Sequence, residues 1–229
     1  MEFAVASQVS PSGMTLAGKH QAGVLSIGAM VAEGMRSLPT QWSFAEESAA
    51  KHGNSVDRKN WRIVMNWHIA ETRKEARLQA KEGLLRHNND YSVATLNPDE
   101  GTIYKSPDDA VDGVAFSENS TAVIGTPDDL IAKIKEMISI TGGFGCVIGF
   151  AHDWANRENT LKSWDLVARY VIPEINGLLD DYRESHEFVT NNRETWVRAR
   201  EAVMNKIESN ERSAEIMETQ GYEGEKSKS

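Results

Sequence analysis

The hydrophobic positions of this chain fall into short blocks separated by longer amphipathic stretches. Four blocks read as buried strands: Glu2–Ala6, Ala22–Ile27, Trp61–Trp67 and Cys146–Phe150. Each is apolar or β-branched and is bounded by Gly, Ser, Asn or His. Between the blocks, apolar residues recur at helical spacing. Helices are expected over Met14–His20, over Leu38–His52 with Pro39 near its start, and over Glu71–Asn88. Thr126-Pro127-Asp128-Asp129 opens another: Thr126 can cap, Pro127 suits the first helical position, and the two acids complement the positive end of the helix dipole. Leu130, Ile134, Met137 and Ile138 supply its apolar face, and Gly142-Gly143 ends it. Asp153 is the expected cap of a further helix reaching about Tyr170, with Leu161, Trp164 and Val167 on its bulky face and Pro173 beyond. Strands alternating with helices predict an α/β fold with a parallel sheet.

Two regions depart from this alternation. Residues 92–121 carry Pro98-Asp99-Glu100-Gly101 and Ser106-Pro107-Asp108-Asp109 among scattered apolar residues, and read as a long insertion loop of the lid or binding type. From Ser185 the chain is amphipathic, with Trp196, Val197, Val203, Met204 and Ile207 at helical spacing. The expected organisation is a first domain over 1–177, a helical extension over 178–220, and a polar, disordered tail over 221–229.

Composition narrows the function. With 229 residues, 40% of them hydrophobic, and a net charge of −9, the chain suits a globular domain and argues against a nucleic-acid groove. No apolar run reaches the length of a membrane span and the N-terminus has no signal-peptide pattern, so a cytoplasmic location is expected. Cys146 is the single cysteine. It precludes an internal disulfide and, inside a strand-like run, reads as a small core residue. The six histidines are scattered, and no metal is expected. Arg62, Arg73, Arg77, Lys81 and Arg86, interleaved with Glu71, Glu75 and Glu82, read as solvated ion pairs.

The candidate chemistry begins at Ala4-Val5-Ala6-Ser7-Gln8-Val9-Ser10-Pro11-Ser12-Gly13-Met14. A short strand, a small-residue turn and a helix start together make a phosphate site: backbone N–H groups, the dipole and hydroxyls all point at the anion, and Gly13 permits close approach. The same residues also make an ordinary helix cap. The candidate cofactor-binding residues are Gln8, Val9, Ser10, Ser12, Gly13 and Met14. His68 and His152 lie just beyond two strands, at the end where parallel strands gather an active face. The reading that the residues favour for each is a packed or hydrogen-bonded strand-end residue. Trp67 and Trp154 either wall an apolar pocket or fill space between layers.

Four segments together carry a resemblance: Ser10–Lys19, Gly23–Gly28, Ala122–Leu130 and Gly142–Trp154. In order and spacing the chain resembles the luciferase-like flavin-dependent monooxygenases, the branch with bacterial luciferase and limonene-monooxygenase-type enzymes, from residue 3 to about 177. The resemblance implies a fold, the C-terminal half of a luciferase-like (β/α)8 TIM barrel with about four parallel strands. It implies an activity, oxygenation of a small apolar organic substrate through a flavin hydroperoxide, using O2 and reduced FMN supplied by a separate flavin reductase. Ser10, Ser12 and Gly13 would then hold the FMN phosphate, and Gln8 would reach the ribityl chain or the ring. Because four strands cannot close a barrel, an N-terminal half barrel or self-association is the expected partner, and the isolated chain is expected to be inactive. The family's principal base falls outside the matched segments, which leaves His68 and His152 as the pocket candidates. Two other readings remain open: a deazaflavin-dependent or other flavin reductase of the same superfamily, and a non-catalytic fragment or interaction module.

Overall fold

The computed structural model describes residues 3–96, 102–117 and 120–219. The chain divides into two compact units, the first ending at Gly177 and the second beginning at Leu178. The first unit runs β1 (Ala4–Ser7), α1 (Ser12–His20), β2 (Gly23–Ser26), α2 (Ala32–Lys51), β3 (Trp61–Ile69), α3 (Arg73–Arg86), α4 (Pro107–Ala115), β4 (Ala122–Gly125), α5 (Pro127–Thr141), β5 (Cys146–Phe150) and α6 (Arg157–Leu166), then a continuing helical run through α7 (Ile172–Ile175). Every strand pairing is parallel, as the alternation of elements predicts. The second unit holds α8 (Asp180–Asn191), α9 (Arg193–Glu208) and α10 (Glu211–Thr219). The expected tail over 221–229 lies outside the described residues.

The register fixes the sheet. Arg62 and Ile63 pair with both β2 and β5, and Asn66 pairs with both β4 and β5. A strand has two edges, so β2 and β4 lie along one edge of β3, one after the other, and β5 lies along the opposite edge. Among the described residues, the outward edges of β1 and β5 have no strand partner.

Side chains alternate across the sheet, and registered neighbours face the same way. One face presents Val5, Val24, Trp61, Ile63, Met65, Trp67 and Val147, and α1, α2, α5 and α6 cover it. Trp61 is fully buried, stacks on Trp42 of α2 with ring centroids 5.2 Å apart, and donates from Nε1 to Ser26 Oγ at 2.8 Å. Trp67 meets Trp164 of α6 edge to face at 5.0 Å. The other face presents Ala4, Ala6, Arg62, Val64, Asn66, His68, Cys146, Ile148 and Phe150. Around α3 and α4 a second cluster of Ala76, Ala80, Leu84, Ala110 and Val111 forms with Ala122, Ile124 and Trp154. Elsewhere that face is open: Ala4, Ala6 and Cys146 are exposed and Phe150 is 45% exposed.

Several expectations are corrected. The sheet has five strands: Ala122–Gly125 is a fourth in chain order, too short to stand out beside the Thr126 cap. The 92–121 insertion is not a plain loop among its described residues. A wider-wound helical stretch, His87–Leu96, extends α3, and α4 is capped by the Ser106 hydroxyl, which accepts from Asp109 N. Helix α2 starts at Ala32 and carries Pro39 in its interior. Asn156, not Asp153, caps α6. Helix α8 begins at Asp180, before Ser185. Cys146 is exposed and not a core residue, because its register with Arg62 turns it to the open face. Arg62 belongs to β3. The α3 cations pair across elements, Arg73 with Asp129 and Arg77 with Asp108 and Asp112, while Glu75 closes a capping box with Thr72.

Candidate functional site

Because all strands are parallel, the segments that follow them gather at one end of the sheet. The turn Gln8–Gly13 follows β1, His68 closes β3 and His152 follows β5. At about 4.8 Å per strand, β3 lies roughly 10 Å and β5 roughly 14 Å across the sheet from β1.

The turn after β1 is built from several sides. Ser10 and Ser12 hydroxyl oxygens are 2.8 Å apart, and Ser12 N donates to Ser10 Oγ at 3.2 Å. Both serines are exposed, as are Gln8 and Val9. Pro11 occupies the cap position of α1, and no side chain caps the helix. The first N–H groups of a helix have no partner within it, so Gly13 and Met14 offer donors beside two hydroxyls. A Cβ at Gly13 would collide with the Ala6 carbonyl oxygen and with Ser7. The residue is glycine so that α1 can close on β1, which is a packing demand as well as an opening for a ligand. Buried Gln41 of α2 pins the turn, donating from Nε2 to the Val9 carbonyl at 2.7 Å. The Met14 side chain is fully buried in the core, so only its backbone can serve a ligand.

The two histidines differ. His68 is buried at 4% exposure with Nε2 2.9 Å from Gln79 Oε1 of α3, and burial holds its pKa below the usual value. It is a packed strand-end residue. His152 is half-buried in an aromatic group at the open face: its ring stacks on Trp154 at 4.2 Å and lies 4.8 Å from Phe150 and 4.9 Å from His87. Burial, with His87 adding a smaller push, lowers its pKa to about 4. His152 Nε2 is 2.8 Å from Asn66 Oδ1. Trp154 is buried, and its Nε1 has no acceptor among the described residues. Trp67 faces the helix-covered side and so walls no pocket on the open face.

The structure thus keeps Gln8 to Gly13 together and joins His152 to Asn66 and His87, while His68 turns to α3. Sequence reading passed over Gln41, Asn66 and His87. A polar residue in the middle of the apolar run Trp61–Trp67 was the one signal for Asn66. A cleft of about 370 Å³ between α4, β4 and α5, lined by Arg73, Phe116, Asp129 and Lys133, contains none of the predicted site residues. Among the described residues no group of His, Cys, Asp or Glu is placed to hold a metal ion, and no helix is long and apolar enough to cross a membrane.

Known proteins carry a similar sequence. The chain is 34% identical over 191 residues to 4-hydroxyprotoasukamycin monooxygenase of Streptomyces nodosus subsp. asukaensis, covering 82% of this chain and 51% of that protein. It is 35% identical over 177 residues to limonene 1,2-monooxygenase of Rhodococcus erythropolis, covering 77% and 44%. The chain belongs to the luciferase-like flavin-dependent monooxygenase family. It spans about half the length of the curated relatives it matches. No protein-family model matches the sequence.

Solved structures agree on the fold. Monooxygenase RslO1 from Streptomyces bottropensis superposes with a TM-score of 0.58 at 20% identity, over 76% of this chain and 48% of that one. The oxygenating constituent of 3,6-diketocamphane monooxygenase from Pseudomonas putida, in complex with FMN, gives 0.50 at 22% identity, over 74% and 47%. The first unit is half of a luciferase-like (β/α) barrel.

Proposed function

We propose that this chain forms the phosphate-holding half of an FMN-dependent monooxygenase that oxygenates a small apolar organic substrate. The observation that carries the reading is the uncapped start of α1, where Ser10, Ser12 and the Gly13 and Met14 N–H groups converge next to a glycine fixed by packing. This donor set, with no carboxylate in it, has the chemistry of a phosphate site, so the residues present fit the phosphate end of FMN. Gln8 follows the end of β1, and in this reading it would reach the ribityl chain. When bound, reduced flavin supplies the reaction with O2. The protein's own part is to orient the cofactor and to keep water from it. Reduced FMN would come from a separate flavin reductase.

The open face and the free edges of β1 and β5 support a partner. Four strands, β1, β2, β3 and β5, lie side by side, and a closed barrel of this class has eight. A complementary half barrel, pairing with both edges and covering Ala4, Ala6 and Phe150, would complete the walls that exclude water. The relatives' double length favours such a partner over self-association.

Titration of the chain, with and without that half, against FMN and riboflavin tests the reading. A phosphate site predicts FMN preferred by about tenfold or more, equivalent to roughly 1.4 kcal/mol. The preference should vanish in the Ser10→Ala/Ser12→Ala double variant. Equal affinity for the two flavins would remove the assignment.

A further inference from the structure

The mouth of the sheet after β5 holds a second polar device, and its protonation state follows from hydrogen-bond geometry. Asn66 projects from the open face of β3 and its Nδ2 donates to the Thr121 carbonyl at 3.3 Å. A carbonyl accepts only, so the amide is oriented with Nδ2 toward Thr121 and Oδ1 toward His152. Oδ1 is likewise an acceptor, so His152 Nε2 carries the proton in the 2.8 Å bond between them. In a neutral imidazole the other nitrogen, Nδ1, is then a bare acceptor. Nδ1 makes no hydrogen bond among the described residues. It is not among the buried unpartnered atoms there, which are Trp67 Nε1 and Trp154 Nε1. An oriented, reachable lone pair thus stands at the mouth of the sheet, on a ring that Trp154 stacks against, Phe150 meets at a tilt and His87 meets edge to face.

We propose that His152, held in the Nε2–H tautomer by Asn66, offers Nδ1 as a hydrogen-bond acceptor to the imide N–H of the flavin ring, with Asn66 as its positioning residue. This inference rests on the flavin reading of the preceding subsection. The acceptor suits the ring's N–H donor, and the aromatic side chains around it give an apolar setting in which that hydrogen bond counts. The titratable neighbours are His87, in ring contact with His152, and Asp153, whose charge acts on His87. Burial keeps His152 neutral at pH 7, so that Nδ1 remains an acceptor at working pH.

The experiment is nitrogen-15 NMR of the uniformly labelled 229-residue chain, titrated with FMN, riboflavin and N3-methyl-FMN, with the His152 ring nitrogens and the Gly13 and Met14 amides followed in parallel. The free chain should display His152 with protonated Nε2 and acceptor-type Nδ1 at pH 7, and with protonation well below the ordinary histidine range. FMN and riboflavin should shift Nδ1, and N3-methyl-FMN should leave it unmoved. Asn66→Leu should release the ring to a tautomer mixture. Asn66→Asp, which keeps an acceptor on Nε2 and adds charge, should raise the pH of protonation by about one unit or more. A protonated Nδ1, an ordinary histidine titration, or an equal shift from N3-methyl-FMN overturns the proposal. So does FMN that moves the Gly13 and Met14 amides and not His152. If His152 responds and those amides do not, the phosphate reading alone fails. No response at either place overturns both.

Discussion

The two faces of this sheet are made by the same strands and have opposite fates. On one face Trp61, Ile63 and Met65 are buried under α1, α2 and α5, and Val5, Trp67 and Val147 are half-buried. On the other, Val64, Asn66 and His68 are buried beneath α3, α4 and the residues after β5, while Ala4, Ala6, Cys146 and Phe150 stand exposed. Area removed from water is the main source of stability, so the covered face holds the fold. The open face contributes less to stability and carries the polar groups, Asn66 and His152, that a bound ring would meet. Burial is thus divided between the two faces by the two-residue period of a strand.

Mutation should break that symmetry most sharply at Trp61. Trp61→Ala deletes a fully buried ring and leaves the Ser26 hydroxyl unpaired, at an expected cost of about 3–5 kcal/mol. Ala4→Ser, on the open face, should stay within about 0.5 kcal/mol. Urea unfolding of both variants checks the contrast, and equal losses would mean that the open face is not open in solution.

Gly13 comes next, because there the covered side and the candidate site meet. Gly13→Ala forces its Cβ onto the Ala6 carbonyl oxygen and should destabilise by about 1–3 kcal/mol, through α1 shifting from β1. The Ser10→Ala/Ser12→Ala pair, on an exposed turn, should lose flavin discrimination with a stability change of about 1 kcal/mol or less. The two measurements separate a glycine needed for packing from hydroxyls needed for binding. A double variant as unstable as Gly13→Ala would undo that separation.

The open face also predicts association behaviour. The isolated chain should bind a hydrophobic dye and self-associate, and a complementary half barrel should suppress both. A single 25.4 kDa species in sedimentation, with no dye bound, would remove the case for an unpartnered face.

The smallest effect is in pH dependence. His152 stays neutral in the fold down to about pH 4, whereas in the unfolded chain it takes up a proton near its ordinary value of 6.5. Its folded pKa is depressed, so between those values the unfolded state binds more protons. Stability is whole above about 6.5 and declines as pH falls toward 4. His87 acts in the same direction. Asp129, held near 2 mainly by its hydrogen bonds to the Arg73 guanidinium, adds a separate loss below its ordinary 3.8. In a stability–pH curve, His152→Phe should flatten the upper window and Asp129→Asn the lower one. A His152→Phe curve that parallels the wild type would show that burial there is not lowering the histidine.

Much of this was legible in the residues. Hydrophobic period located four strands, and Thr126-Pro127-Asp128-Asp129 carried its own helix start, which the structure closes with a capping box between Thr126 and Asp129. The local chemistry of Ser10, Ser12 and Gly13 marked the turn, because strand ends, caps and small-residue turns are short-range properties. Tertiary structure decided the rest. Cys146 and Ile148 differ from Val147 only in which way the register with β3 turns them, and register depends on a partner strand more than 80 positions away. Asn66 and His152 are 86 residues apart, and Gln41 reaches the Val9 carbonyl across 32. No local pattern encodes such pairings, since each becomes favourable only once packing has brought the elements together. The sequence by itself determined the parts and their order. Which histidine packs against α3 and which one meets Asn66 was decided by the fold.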